Sequence, residues 1–294
     1  MDIFLQLALS GLLLGGIYGL LSLGLTLVFG VTRIVNFAHG EFVMLGMYLS
    51  YFLWQLGFDP YLTAPVAFFV CLAVGVVTQH FVLRRTLTMP HFVQVFVTIG
   101  ISVVMQSAAQ LLFTSDFYFV RPSYGNAIVK LGTARLPLTM VIAAALAFVG
   151  TALVHLFLKK THIGAAIRAT AQDPYAANVV GIDIKKVYAV TFGVGIGCAG
   201  LAGALLAPIY PVYPTVGLAY SLISFVVVVL GGLGSLPGAL LGGLVVGLLE
   251  TFSAYYVSPE AKEATYFTIF ILVLLLRPAG LFGLRGSETM GANH

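Results

Sequence analysis

The sequence predicts an all-α fold: a single transmembrane domain over residues 1–294, built as a polytopic bundle of transmembrane helices with one helical element standing out on the cytoplasmic side. Three observations carry this. Of the 294 residues, 60% are hydrophobic and only 8% charged, whereas a soluble domain carries about 25% charged residues to wet its surface. The mean hydropathy is +1.05. Apolar runs of about eighteen residues or more, the length that takes a helix across hydrocarbon, recur from end to end.

In chain order, the first run covers 3 to 30 and opens "MDIFLQLALSG". An acid at position 2, no basic n-region and a run longer than an h-region make it a span and not a secretory signal. Further runs lie at 36 to 56, 61 to 83 and 92 to 113. The outer connection 114 to 137, "TSDFYFVRPSYGNAIVKLGTARLP", mixes aromatics with cations as an interfacial cap does. A fifth run, 138 to 158, leads into the most polar stretch of the chain, 159 to 186. Runs at 187 to 209, 218 to 234, 238 to 257 and 264 to 283 complete the series. The seventh is short and ends in glycines, which leaves a re-entrant reading open, so eight or nine crossings are expected.

With 159 to 186 placed in the cytoplasm and the spans alternating, Arg33, Arg84, Arg85, Lys159, Lys160, Arg168, Lys185, Lys186, Arg277 and Arg285 fall inside. Arg121, Lys130, Arg135 and Lys262 fall outside. Positive charge collects on the cytoplasmic face, so with nine crossings the N-terminus is expected outside and the C-terminus inside, and a re-entrant seventh run would move one end to the other side. The same rule accounts for the net charge of +4 without nucleic acid as a partner. Cys71 and Cys198 both lie inside apolar runs, which excludes a disulfide framework or a zinc site built from them. Glycine recurs at spacing four in Gly15 with Gly19, Gly193 with Gly197, Gly238 with Gly242 and Gly243 with Gly247. Such small faces let helix backbones approach closely in lipid.

Catalytic signatures are missing. "GIGCAG", with Gly195, Gly197 and Gly200, spells a dinucleotide fingerprint but lies inside an apolar helix, where no open helix N-terminus can meet a pyrophosphate. There is no Gly-Lys pair for a P-loop, no His-Glu-x-x-His and no Gly-x-Ser-x-Gly. The chain is therefore expected to be neither an ATPase nor an intramembrane hydrolase, and to hold no metal.

The segment "KKTHIGAAIRATAQDPYAANVVGIDIKKVYAV" reads as a helix to about Gln172 and a second helix capped by Asp173, with Pro174 at its first position and Gly181 as its stop. Helix, turn, helix outside the membrane is a docking element, unless it lies on the headgroups as an amphipathic loop. Tyr175, Ala176, Ala177 and Gly181 resemble the Glu-Ala-Ala-x-x-x-Gly loop of ABC importer permeases, with Tyr175 in place of the glutamate. The wider chain resembles the branched-chain amino acid permeases of the LivH type. That likeness is carried by "GLTLVFGVTRIVNFAHGEFVMLGMY" (24 to 48), the stretch 162 to 195, "AGLAGALLAPIYPVYPTVG" (199 to 217), "VVLGGLGSLPGALLGGLVVGLLE" (228 to 250) and "LLLRPAGLFG" (274 to 283). The group also includes urea and short-amide permeases.

The resemblance implies an inner-membrane permease subunit that holds no cofactor. Two cytoplasmic ATPase subunits would bind ATP and Mg and dock on Asp173, Pro174, Tyr175, Ala176, Ala177 and Gly181. A homologous permease would complete a heterodimer, and a periplasmic binding protein would deliver substrate. The rival class is an ion-coupled secondary transporter or channel, which needs intramembrane charges at broken helices, and only Glu41 and Glu250 are candidates. A structural scaffold comes third.

The stretch "VNFAHGEF" brings an amide, an imidazole and a carboxylate to the start of the second run. On a continuous helix Asn36, His39, Gly40 and Val43 share a face and Glu41 points elsewhere, so only a break around Gly40 would make the polar groups converge. In one reading Asn36 caps the span and the others sit at headgroup level. In the other the stretch lies deeper and faces the bundle interior, because lipid exposure of all three groups would be too costly. On that second ground Asn36, His39, Gly40 and Glu41 are expected to pack and gate the cytoplasmic half of the pathway. Glu250 is expected to face protein, either on the pathway or paired with a tyrosine hydroxyl. "GGLGSLPG", with Gly231, Gly232 and Gly234, either lines the pathway or makes a tight turn between two spans.

Overall fold

The computed structural model describes residues 2–87, 89–277 and 280. The elements are α1 (Asp2–Thr32), α2 (His39–Gln55), α3 (Ala64–Phe81), α4 (His91–Phe113), β1 (Ile128–Leu131), β2 (Ala134–Pro137), α5 (Leu138–Lys160), α6 (His162–Gln172), α7 (Pro174–Val179), α8 (Ile184–Leu206), α9 (Val216–Gly231), α10 (Leu236–Tyr256) and α11 (Lys262–Leu276). The chain is mostly helical, and each of the nine apolar runs holds one helix. Among the described residues six helices are long and apolar enough to cross a membrane: α1, α3, α4, α5, α8 and α10. Helices α2, α9 and α11 are shorter, at 17, 16 and 15 residues. Most of "LLLRPAGLFG" beyond Arg277, the end of the ninth run and Arg285 lie outside the described residues.

Burial sorts the helices into centre and rim. In their most apolar windows 83% of α1 and 83% of α8 is buried, against 17% of α4. A helix apolar all round belongs either in the core or in lipid, and this contrast puts α1 and α8 at the core. Exposed residues such as Phe96, Val104 and Leu111 on α4 form its lipid-facing flank.

Glycine makes the central contacts possible. A Cβ on Gly15 would strike the backbone of Gly243 and Leu244, and one on Gly247 would strike Gly11 and Gly15, so α1 and α10 run backbone against backbone. Helix α8 packs on α3 in the same way, with Gly197 against Phe68 and Gly200 against Cys71. Helices α1 and α8 cross where Gly24 meets Gly195. The dinucleotide-like row Gly195, Gly197 and Gly200 is thus spent on helix contacts. The contacts are reciprocal: α1 packs on α10 as α8 packs on α3, and α2 touches α9.

The all-α expectation needs one correction. The outer connection holds an antiparallel hairpin, β1 with β2, registered Val129↔Leu136 and Lys130↔Arg135. Its turn uses Gly132 at φ +63°, a left-handed conformation that suits glycine. Alternation decides it: Ala134 and Leu136 are buried while Arg135 is exposed, the period of a strand. A lone bridge, Tyr118 to Val212, ties this connection to the segment between α8 and α9.

Candidate functional site

Helix α2 does not begin where α1 ends. After Thr32 the chain bends at Arg33, φ +58°, and runs without regular structure through residues 33–38. It re-enters the bundle. His39 Nε2 then lies 3.0 Å from the carbonyl of Leu21, eleven residues before the end of α1, or about 16 Å back along its axis. Since a carbonyl only accepts, Nε2 carries the hydrogen of this bond.

At that depth the N-terminus of α2 meets the N-terminus of α9. Gly40 and Gly217 are each the second residue of their helix, and a Cβ on either would collide with the carbonyl of the other. Ala38, the residue before α2, offers no side-chain cap. The cap comes from across the junction: the Gly40 N–H donates to Ser221 Oγ of α9 at 2.9 Å, and Ser221 Oγ donates to the Phe37 carbonyl at 3.2 Å. The reading in which Asn36 caps α2 is corrected. Asn36 Oδ1 instead accepts the Ala38 N–H at 3.1 Å, an Asx turn that folds the re-entrant segment onto itself.

Glu41 is fully buried in the first turn of α2. Its Oε1 accepts from Ser102 Oγ at 3.0 Å and from Gln106 Nε2 at 2.7 Å, both on α4. Its Oε2 has no partner among the described residues and lies against Gly217, 2.5 Å from where a Cβ would stand. The N-termini of α2 and α9 both lie beside this carboxylate. Thr98 of α4 clamps the re-entrant segment by accepting the Phe37 N–H at 3.3 Å.

The three polar groups of "VNFAHGEF" therefore go three ways: Asn36 to its own loop, His39 to α1, Glu41 to α4. What they share is incompletion. Asn36 Nδ2, His39 Nδ1 and Glu41 Oε2 are buried with no hydrogen-bond partner among the described residues, an unusual concentration over six residues of chain, since buried polar atoms are nearly always paired. Ser102, Gln106, Gly217 and Ser221 were not singled out in the sequence. They are ordinary small or polar residues inside apolar runs, and only the fold brings them to Glu41 and Gly40.

Glu250 on α10 belongs to a second cluster. Tyr18 donates to its Oε2 at 2.8 Å and Lys262 Nζ to its Oε1 at 3.1 Å. A cavity of about 200 Å³ opens beside the pair, bounded by α1, α9, α11 and the tyrosines that follow α8. Gly231, Gly232 and Gly234 form the turn from α9 to α10. Gly232 and Gly234 take φ of +99° and +83°, and Gly231 abuts the Gly238 backbone. The Gly232 N–H bonds Val229, the Ser235 N–H bonds Gly232, and Ser235 Oγ accepts the Gly238 N–H, so these amides are used within the turn.

On the polar stretch 159–186, Asp173 Oδ1 accepts the Ala176 N–H at 3.0 Å and Pro174 takes the first position of α7. Gly181 adopts φ +90° just past the end of α7. Ala177 is buried, while Tyr175 is 80% exposed beside exposed Val179 and Val180. Asp183 caps α8, and the N–H of Lys186 holds its carboxyl below the usual carboxylate range. No group of three metal-ligating side chains occurs among the described residues.

Residues 7–276 match the family described as "Branched-chain amino acid transport system / permease component". The chain is similar to the high-affinity branched-chain amino acid transport system permease protein LivH of Escherichia coli, 32% identical with 95% of this chain and 96% of that one covered. It is similar to BraD of Pseudomonas aeruginosa at 30% identity, again covering 95% and 96%. The probable LivH permease of Methanocaldococcus jannaschii is 28% identical over 90% of this chain and 88% of its own. No solved structure matches.

Proposed function

The chain belongs to the branched-chain amino acid transport permease family, and from that premise we propose that it carries branched-chain amino acids inward across the inner membrane as one permease subunit of an ABC importer. It is a transport subunit, and hydrolysis of ATP with Mg is the work of two separate cytoplasmic ATPases. A homologous permease completes the pathway as a heterodimer, and a periplasmic binding protein delivers the substrate. The match along nearly the whole chain carries this reading.

Helices α6 and α7, in the polar stretch 159–186, are the handle the ATPases move. Asp173 and Pro174 start α7, Gly181 ends it, and the exposed Tyr175, Val179 and Val180 offer an apolar face to a groove in the motor. The chain then crosses the membrane eight or nine times. The count turns on α9, the seventh run; with nine crossings the N-terminus lies in the periplasm and the C-terminus in the cytoplasm. Asn36, His39, Gly40 and Glu41 form the gate at the meeting of α2 and α9.

Competition uptake in vesicles holding the complete complex tests the substrate. Leucine should suppress labelled leucine uptake and urea or a short amide should not. Suppression by urea or the amide alone would move the chain to the amide branch. Accumulation of solute by the isolated polypeptide, with no ATPase present, would make it a secondary transporter and end this reading.

A further inference from the structure

The cavity beside Glu250 has a composition unlike the rest of the bundle. Lys262 and Glu250 form an ion pair at 3.1 Å with only 6% of the Glu250 side chain exposed, and Glu263 adds a second carboxylate to the lining. Buried charge among apolar helices is retained where it meets a partner or a polar path. Here both signs are present side by side, and Tyr18 holds Glu250 in place from α1.

Lys262 has three N–H donors, and one of them is spent on Glu250. Among the described residues no hydrogen bond engages the hydroxyls of Tyr220 or Tyr266, which also line the cavity. The opposite wall is apolar, made by Val216, Ala219 and Ile223 of α9. At about 200 Å³ the space is smaller than the roughly 300–1,000 Å³ of pockets for drug-sized ligands.

The geometry points to a substrate seat for a zwitterion with a short branched alkyl chain, and this rests on the transport reading above. The ammonium faces Glu250 and Glu263, the carboxylate takes the free donors of Lys262 with the tyrosine hydroxyls, and the alkyl group lies on the α9 wall. Two carboxylates and one ammonium leave the lining with one excess negative charge, so a carboxylic acid without an amine enters against repulsion. Urea presents neither charge and leaves the wall of α9 unused.

The seat adjoins the gate. Val216, Ala219 and Tyr220 face the cavity, while Gly217 and Ser221 of the same turn touch Glu41 and Gly40. One turn of α9 separates the two sites, so a shift of that turn against α2 opens one onto the other.

The test uses the complete complex in proteoliposomes. Ala219→Cys is introduced and labelled with a membrane-impermeant methanethiosulfonate from the outer side, since Cys71 and Cys198 are buried. Millimolar leucine should slow labelling several-fold, and leucinamide or 4-methylpentanoate, each lacking one charge, should not. Adding Lys262→Gln should abolish protection by leucine, read as the ratio of labelling rates with and without leucine in that variant. In parallel, Lys262→Gln should lower leucine uptake at least tenfold and Lys262→Arg by no more than about threefold. Equal protection by all three compounds, no protection, or full uptake by Lys262→Gln would overturn the seat. Uptake by the wild-type complex separates the two ideas: if it fails to take up leucine the transport reading is wrong, and if it takes up leucine while leucine does not slow labelling of Ala219→Cys only the seat is wrong.

Discussion

Gly40 and Gly217 touch through their backbones, and a methyl group on either would meet the carbonyl of the other. Alanine at either position forces α2 and α9 apart, an overpacking cost of about 1–3 kcal/mol, and also withdraws Ser221 from the Gly40 N–H. Gly217→Ala should lower the melting temperature of the solubilised complex and cut uptake, and an unshifted melting temperature would mean that the junction yields freely. Glu41 allows structure and transport to be separated. In Glu41→Gln the side-chain oxygen still accepts from Ser102 and Gln106, so stability should hold, while the unpartnered oxygen beside Gly217 is replaced by an amide nitrogen. Uptake should fall at least tenfold at unchanged melting temperature, and wild-type uptake would reduce Glu41 to a packing role. Glu41→Ala removes the acceptor as well, and should destabilise by about 1–3 kcal/mol as the α4 donors lose their partner.

At the scale of elements, α7 is a short helix whose ends are both set locally. Asp173 supplies the first cap, Pro174 the first turn and Gly181 the left-handed stop, and all three positions were legible because capping and turn chemistry act over a few residues. Ala177 is the buried residue of this helix, so Ala177→Trp pushes α7 off its support. Co-purification of the ATPase subunits should drop sharply in that variant, whereas Gln172→Ala in the preceding turn should retain them. Retained ATPases in Ala177→Trp would show that α7 is not the handle. Helices α2 and α9 gave weaker signals. Their apolar runs and the gaps before them, 31 to 35 and 210 to 217, were legible, but not that the N-termini of α2 and α9 meet inside the bundle, because that contact joins residues far apart in the chain.

Across the whole molecule, the orientation in the membrane decides whether the handle can meet its motor. Single cysteines at Ser123 in the outer connection and at Thr161 before α6 should label from opposite faces, Ser123 from outside and Thr161 only after permeabilisation. Labelling of Thr161→Cys in intact cells by an impermeant reagent would invert the topology and remove α6 and α7 from reach of any cytoplasmic ATPase. By itself the sequence determined the membrane class, the nine apolar runs, the close glycine faces and the helix-turn-helix at 159–186, since hydropathy, small-residue spacing and capping are local properties. Only the tertiary structure decided that α2 and α9 meet end to end, that Ser221 caps α2 in place of Asn36, that Glu41 turns to Ser102 and Gln106, and that Lys262 pairs with Glu250. These contacts join residues far apart in the chain, and the hairpin at 128–137 was likewise hidden under a composition that any polar loop could have. In a bundle whose helices are apolar on every side, hydrophobicity cannot choose which faces meet; close packing of glycines and the few buried polar partners make that choice, and they act only once the chain has folded.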